Sequence, residues 1–286
     1  MAVNKPDSDA LSATNLGYLN GQWRAAEQLQ VSIADLGFVQ AVTAVERLRS
    51  YAGQLFERQT HLERFRQSAA VLQLNLAGID LDRLLDELLQ RNAAWLAAAG
   101  EFGLTLFATP GSGPPSPANL GMVCSRLDLP QIRQRQQFGQ PIVVSDVQQP
   151  PPQCWPRQIK VRCRLHYYLA DRAAAAYCPG ALGVLLDQDG TLTETSVANL
   201  AIVRDGAIVS PPPERVLPGI TQRVVEAYAR REQIPWRHEP LPPECLRDAE
   251  EILLFGTTTG VWNGRLVDAP VAGHWPMSAE LRKALP

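Results

Sequence analysis

Alternation of apolar and polar residues predicts β-structure in the first part of the chain, over residues 16–56. Asn20-Gly21 is typical of a tight hairpin turn between two short strands. Residues 45–51 alternate and are followed by a second turn at Ala52-Gly53. Residues 104–108 form a further apolar segment of strand length. The first part of the chain is therefore predicted to contain a small sheet.

Helical periodicity replaces this alternation after residue 56. Thr60 and Glu63 have the spacing of a capping box, which predicts that a helix begins at Thr60. A second helix is predicted over residues 79–99, whose leucines fall on one side. Residues 110–117 are rich in Pro and Gly and predict a loop. The Gln-rich residues 131–138 are predicted to carry the connection between two domains.

The second half of the chain mixes helices and strands. Alanine-rich residues 165–177 predict a helix, and Pro218-Gly219 leads into another over residues 220–231. Five apolar segments predict strands, the first four with Asp-Gly turns among them: residues 181–186, 191–195, 200–204, 207–210 and 251–255. Because strands and helices do not alternate strictly, the pattern favours an α+β fold in two lobes.

Length and composition refine this outline. The 286 residues are 45% hydrophobic, enough for one large domain or two smaller ones. We expect a disordered tail at residues 1–15, a small N-terminal α/β domain at residues 16–132 and a larger C-terminal cofactor-binding domain at residues 138–286.

The charge balance excludes several classes of function. A net charge of -2 and a pI near 6.1 argue against a nucleic-acid-binding or membrane-surface protein. No apolar run has membrane-spanning length and no secretory leader is seen, so a cytoplasmic protein is expected. The five cysteines are scattered without a CxxC pair, and the four histidines lack zinc-ligand spacing. We expect reduced thiols and no metal site.

Lysine is rare in this chain. Of 27 basic residues only three are lysines, and Lys160 is the one that lies well inside the sequence. Arginine stays charged, whereas a lysine whose pKa is lowered can act as an amine nucleophile and form a Schiff base. Lys160 is thus a candidate catalytic residue, with a surface charge as the alternative.

Three features after Lys160 suit a cofactor that carries a phosphate and a nitrogen heterocycle. The helix start Leu217-Pro-Gly-Ile-Thr221 would present unpaired amides to a phosphate. The turn Gly256-Thr-Thr-Thr-Gly260 offers further donors. Glu194, at a strand end, could hold a ring nitrogen protonated. Taken singly, each also has an ordinary structural explanation.

In order along the chain, these features resemble the class IV aminotransferases, which are fold-type IV enzymes that use pyridoxal 5′-phosphate (PLP). The resemblance covers roughly residues 17–75 and 156–275. It rests on this ordered set: Asp189-Gly190, Thr193-Glu194, Asn199-Leu200, Pro211, Leu217-Pro-Gly-Ile-Thr221 and Gly256-Thr257. In the first domain, His61-Leu-Glu-Arg64 with Ser68-Ala69, Asp35-Leu-Gly-Phe38 and Glu46 match other parts of the family pattern.

The resemblance implies a role for each matched residue. Lys160 would hold PLP as a Schiff base and carry the proton between the substrate Cα and the cofactor, and Glu194 would pair with the pyridine nitrogen. Arg64 would bind the phosphate. The phosphate site would be completed by the amides of two residues and by two threonines: Ile220, Thr221, Thr257 and Thr258. Family members usually form homodimers, so a homodimer is expected.

The substrate region departs from the family pattern. Ala41-Val-Thr-Ala-Val-Glu46 replaces a run that is usually glycine-containing and acidic, and Ala108-Thr-Pro-Gly111 lacks the arginine of the D-amino-acid enzymes. Arg164-Leu165 is similar to the pair found in some aminodeoxychorismate lyases. Arg162 and Arg164 would contact a polycarboxylate substrate, or else face solvent.

Three hypotheses follow. The first is a PLP-dependent aminotransferase that acts on a small amino acid. The second is an aminodeoxychorismate lyase that releases pyruvate in folate synthesis. The third is a non-catalytic family member, which the altered residues 41–45 suggest.

Overall fold

The computed structural model describes residues 14–114, 116–269 and 274–286. The chain divides into two units, Met1–Leu127 and Asp128–Pro286. Most of the predicted disordered tail, residues 1–13, lies outside the described residues. The Gln-rich stretch predicted to connect the domains is helical and belongs to the second unit.

The first unit contains a six-stranded antiparallel sheet with the order β2-β1-β6-β5-β3-β4. Its strands are β1 (Leu16–Leu19), β2 (Gln22–Ala25), β3 (Ala44–Tyr51), β4 (Gln54–Leu55), β5 (Phe102–Thr109) and β6 (Asn119–Arg126). Both predicted hairpins are confirmed, since Leu19 pairs with Gln22 and Tyr51 pairs with Gln54. Strand β6 has no counterpart in the predicted pattern.

The first unit contains the helices α1 (Leu36–Val39), α2 (Arg58–Val71), α3 (Leu81–Arg91) and α4 (Ala93–Ala99), with a 3-10 turn at Ala26–Gln28. Helices α2, α3 and α4 pack against the apolar side of the sheet. Leu62 and Phe65 of α2 and Leu85 and Leu88 of α3 are fully buried against Leu104 and Leu106 of β5, among others. This packing forms the core of the first unit.

Two helix predictions in this unit were wrong in detail. Helix α2 begins at Arg58, after Glu57 in the left-handed conformation, and the Thr60 hydroxyl donates to the Glu57 carboxylate. The predicted helix over residues 79–99 is interrupted at buried Asn92. The Asn92 side chain exchanges hydrogen bonds with the backbone of Leu16, which ties the helix break to the first residue of β1.

The second unit contains an eight-stranded sheet with the order β12-β11-β10-β13-β14-β7-β8-β9. Its strands are β7 (Gln140–Gln148), β8 (Leu182–Leu186), β9 (Leu192–Thr195), β10 (Asn199–Arg204), β11 (Ala207–Ser210), β12 (Trp236–His238), β13 (Glu251–Gly256) and β14 (Gly260–Leu266). Strand β9 also pairs with β10, so β10, β13, β14, β7, β8 and β9 close into a ring. The buried side chains of Leu200, Leu254 and Trp262 contribute to its core.

The helices of the second unit are α5 (Leu129–Phe138), α6 (Leu165–Tyr177), α7 (Ile220–Arg231), α8 (Cys245–Asp248) and α9 (Pro276–Leu281), with 3-10 turns at Pro213–Arg215 and Arg282–Ala284. The predicted helices over residues 165–177 and 220–231 are confirmed, as are the five predicted strands. Strands β7, β12 and β14 have no counterpart in the predicted pattern. The α+β class is confirmed. Within the described part of the chain, no helix has the length and apolar character needed to cross a membrane.

Candidate active site

Glu194 lies at the centre of the candidate site, near the end of β9. Strand pairing places it opposite Asn199 on β10, and Asn199 is opposite Phe255 on β13. Glu194 Oε1 accepts hydrogen bonds from the Tyr167 hydroxyl at 2.7 Å and from Gln149 Nε2 at 3.0 Å. Its Oε2 accepts from Asn199 Nδ2 at 3.1 Å and from the Leu217 amide at 3.3 Å.

The electrostatics of Glu194 follow from its position. Burial raises the pKa of this carboxyl, while the hydrogen bonds from Tyr167 and Leu217 and the positive charge of Lys160 partly offset that rise. The structure therefore brings Lys160 and Glu194 into one electrostatic neighbourhood.

Asn199 connects the carboxylate to the start of helix α7. Its Nδ2 donates to Glu194 Oε2 and also to the Leu217 carbonyl oxygen at 2.8 Å. A Cβ on Gly219 would lie 1.8 Å from Asn199 Oδ1, so only glycine leaves room for this bridge. Glu194, Asn199 and Leu217-Pro-Gly219 are separated in the sequence but are in contact in the folded chain.

The N-terminus of α7 is suited to bind an anion. The N-cap residue is Gly219, which has no side chain to cap the first-turn amides. Ile220 and Thr221 are buried at the first helical positions. Free amide groups at the positive end of a 12-residue helix favour a phosphate.

The threonine turn follows β13, as predicted, and leads into β14. A Cβ on Gly256 would come within 2.5 Å of the Val197 carbonyl oxygen, so the turn begins against the β9–β10 connection. Thr257 and Thr258 are partly exposed, and Thr259 is buried. The two threonines predicted as cofactor ligands thus lie beside the strand connection that follows Glu194.

The loop that carries Lys160 is fixed by a residue that the sequence analysis missed. Arg157 makes two hydrogen bonds with the Asp187 carboxylate, at 2.7 and 2.9 Å, and a third with the Arg215 carbonyl oxygen at 3.0 Å. Arg157 is buried, as is Ile159. This anchor, three residues before Lys160, positions the lysine within the second unit.

Arg162 and Arg164 create a positive field close to Lys160. The Arg164 guanidinium donates to the Ser196 carbonyl oxygen and lies 4.5 Å from the centroid of the Tyr167 ring. Burial and the Arg164 charge together lower the pKa of Arg162 and lower that of His166 to about 4. A bound carboxylate would relieve this repulsion.

Arg64 belongs to the first unit, where it forms a buried cluster with Glu46 and His61. Its Nε and Nη2 donate to the Glu46 carboxylate at 2.9 and 2.7 Å, and His61 Nδ1 lies 3.0 Å from Glu46 Oε1. Burial raises the pKa of Glu46, but Arg64 and His61 outweigh it and hold the value at about 2. The phosphate-binding role of Arg64 stays a prediction.

The described residues of the second unit fit the cofactor that the resemblance implies. A buried acid suits a ring nitrogen, an uncapped helix N-terminus suits a phosphate, and a lysine amine suits an aldehyde. Sequence reasoning found these three features but missed Tyr167 and Gln149, the two donors to Glu194 Oε1. Nothing in their local sequence marks them, because the contacts are made between distant elements.

Comparison with known proteins agrees with this geometry. The family model described as Amino-transferase class IV matches residues 43–267. A D-alanine aminotransferase of Staphylococcus epidermidis is 28% identical over 256 residues, which cover 85% of this chain and 86% of that protein. A putative branched-chain-amino-acid aminotransferase of Methanocaldococcus jannaschii is 25% identical over 248 residues, 85% of each chain.

Solved structures show the same fold. The branched-chain amino acid aminotransferase of Escherichia coli superposes with a TM-score of 0.84 at 21% identity, covering 94% of this chain and 93% of that one. The branched-chain aminotransferase of the archaeon Thermoproteus uzoniensis, solved with norvaline, gives a TM-score of 0.81 at 19% identity, covering 94% of this chain and 93% of that one.

The contact between Gly219 and Asn199 predicts the outcome of adding one methyl group. Gly219→Ala places a Cβ against Asn199 Oδ1 and should lower the free energy of unfolding by about 1–3 kcal/mol, measured by urea denaturation. In an Asn199→Ala background the same change should cost clearly less. Equal costs in the two backgrounds would show that this contact is not the cause.

The buried cluster of the first unit predicts a pH-dependent stability. Glu46→Gln should lower the free energy of unfolding by about 3–5 kcal/mol at neutral pH, because it removes the buried carboxylate that pairs with Arg64 and His61. The Glu46 pKa of about 2 lies below its usual 4.5. Its contribution is therefore present above pH 4.5 and is lost as the pH falls toward 2.

Urea denaturation of wild type and Glu46→Gln across this pH range measures the effect. The matched control is Glu87→Gln, which removes a partly exposed i,i+4 partner of Arg91 and should change stability by less than about 0.5 kcal/mol. A constant difference between wild type and Glu46→Gln at every pH would contradict the electrostatic explanation.

Proposed function

Because the chain belongs to the class IV aminotransferase family, whose cofactor is pyridoxal 5′-phosphate, we propose that it transfers the amino group of a small amino acid through a Schiff base at Lys160. The observation that carries the proposal is the buried Glu194 carboxylate within the field of Lys160. An acid in this environment is suited to keep a ring nitrogen protonated.

Each predicted site residue of the second unit would have a separate role in the reaction. When bound, the cofactor supplies an electron sink for the carbanion that forms at the substrate Cα. Lys160 would provide the amine that holds the cofactor and would carry the proton removed from Cα. Glu194 would hold a proton at the ring nitrogen. The amides of Ile220 and Thr221, together with Thr257 and Thr258, would bind the phosphate.

Two further roles belong to the same proposal. Arg64 would contribute a guanidinium to the phosphate, and a homodimer would be the assembled form. Both come from the family resemblance. Sedimentation velocity of the purified protein measures the second, and a monomer would contradict it.

The positive field of Arg162 and Arg164 supports a substrate with a carboxylate near Lys160. Arg164 is held by Ser196 and by the Tyr167 ring, so its charge has a fixed position. A small amino acid fits this field, and the similarity to D-alanine aminotransferases makes D-alanine the first substrate to assay. The Arg164-Leu165 pair also supports the second candidate, an aminodeoxychorismate lyase.

Lys160→Ala tests the catalytic assignment. The wild-type protein mixed with PLP should show the yellow absorption of a lysine Schiff base, and the variant should not. Transaminase turnover should fall at least about a hundredfold. Lys283→Ala is the matched control, since Lys283 is an exposed lysine paired with Glu280, and it should behave as wild type. Equal spectra and rates for Lys160→Ala and wild type would refute the proposal.

Arg164→Ala tests the substrate assignment. The KM for the amino or keto acid should rise about ten- to a hundredfold with a smaller change in kcat, because a charge-assisted contact to the carboxylate is lost. Arg172→Ala is the matched control, because it changes an exposed arginine within helix α6, and it should leave KM unchanged. Pyruvate release from aminodeoxychorismate without an amino acceptor would favour the lyase over the aminotransferase.

A further inference from the structure

Helix α6 directs one of two adjacent tyrosines into the candidate site. Tyr167 lies seven residues after Lys160, and its hydroxyl contacts the buried carboxylate of Glu194. Its neighbour Tyr168 is 62% exposed, and Leu165 is 67% exposed. The first turn of α6 therefore separates an inward tyrosine from an outward one of the same chemistry.

Gln149 reaches the same carboxylate oxygen from another element. It follows β7 directly and is buried, and its backbone amide donates to the Leu186 carbonyl oxygen at 2.8 Å. Its Nε2 lies 3.0 Å from Glu194 Oε1 and 3.2 Å from the Tyr167 hydroxyl. The side chains of Tyr167, Gln149 and Glu194 thus form a closed triangle of polar contacts.

The two oxygens of Glu194 are held unequally. Oε1 accepts contacts of 2.7 and 3.0 Å, whereas those to Oε2 are 3.1 and 3.3 Å. The shorter pair comes from two side chains on separate elements. Oε1 is therefore the more firmly fixed oxygen, and a hydrogen bond to a charged acceptor is stronger than one between neutral groups.

We propose that Tyr167 and Gln149 are positioning residues that keep the Glu194 carboxylate ionised and fixed in orientation for the ring nitrogen of the cofactor. This inference rests on the proposed function, since it assigns two residues to the same site. Neither Tyr167 nor Gln149 is proposed to contact the substrate or to transfer a proton. Both act through Glu194.

The surroundings of Tyr167 keep it a hydrogen-bond donor. Burial and the Glu194 charge raise the pKa of the Tyr167 phenol well above 10, so the hydroxyl stays protonated at physiological pH. The Arg164 guanidinium over the ring opposes this rise only in part. A phenol that donates to the Glu194 carboxylate at 2.7 Å stabilises the ionised form of the acid.

Other groups around Glu194 also stabilise its ionised form, in addition to Tyr167 and Gln149. Lys160 is the charged group whose field stabilises the carboxylate, while Asn199 and the Leu217 amide donate neutral hydrogen bonds. Burial opposes all of them and raises the pKa of Glu194. Losing a donor to Oε1 therefore raises that pKa further, and the carboxyl becomes protonated at higher pH.

Tyr167→Phe tests the proposal because it removes only the hydroxyl and keeps the ring beneath Arg164. At neutral pH the affinity for PLP, measured by absorbance titration, should fall at least about tenfold. The loss should shrink as the pH rises and Glu194 becomes ionised again. Tyr168→Phe is the matched control and should bind PLP as wild type does at every pH.

Infrared spectroscopy provides a readout that needs no turnover. The carboxylic-acid C=O band of Glu194 is assigned by its loss in Glu194→Gln, in protein prepared without PLP. This band should grow at neutral pH in Tyr167→Phe and stay unchanged in Tyr168→Phe. If Tyr167→Phe affected only folding stability, the Glu194 band would titrate at the same pH as in wild type.

Gln149→Met gives a second, independent variant of similar side-chain length. It should shift the pH dependence in the same direction as Tyr167→Phe. The double variant should deviate from the sum of the two single effects, because both donors serve one oxygen.

Wild-type PLP affinity and an unshifted Glu194 band in Tyr167→Phe and Gln149→Met would overturn the proposal. Failure of the proposed function has a different signature. In that case wild type itself would not bind PLP, whereas the infrared titration of Glu194 would still report whether Tyr167 and Gln149 hold it ionised.

Discussion

A negative charge buried at the end of a strand is the constraint on which the second unit depends. A carboxylate removed from water is costly unless donors surround it, and Glu194 receives four from separate parts of the chain. The donors come from the residue after β7, from α6, from β10 and from the segment before α7. Satisfying one acid therefore fixes where these elements must end or begin.

The same requirement explains the small residues around the site. The Asn199 bridge to Leu217 occupies the space where a side chain at position 219 would lie, and the turn after β13 approaches the β9–β10 connection through Gly256. Neither Gly219 nor Gly256 has a positive φ, and both allow close approach between segments. The uncapped start of α7 is a consequence, because a glycine at the N-cap leaves the first amides for another acceptor.

Charge is distributed unevenly around this acid. Lys160 stabilises it, and Arg162 and Arg164 extend the positive field beyond the lysine, while Arg157 is neutralised by Asp187. Arg157 thus fixes the loop through its ion pair with Asp187. The charge of Arg164 instead lowers the pKa values of Arg162 and His166.

Local sequence was enough to predict the α+β class, the hairpins at Asn20-Gly21 and Ala52-Gly53, and the helices on either side of the 181–210 strands. It also suggested residues for the cofactor site, which stay a prediction. These depend on local periodicity, on turn residues that tolerate positive φ and on an ordered motif, all of which are readable along the chain. Only the folded molecule revealed the break at Asn92, the start of α2 at Arg58 and strands β6, β7, β12 and β14. The same is true of the contacts of Arg157, Gln149 and Tyr167. The side chains among them act through partners far away in sequence: Leu16 for Asn92, Asp187 for Arg157 and Glu194 for Tyr167. Periodicity carries no information about such pairs, because a hydrogen bond between distant residues exists only after the chain has folded around the group that needs it.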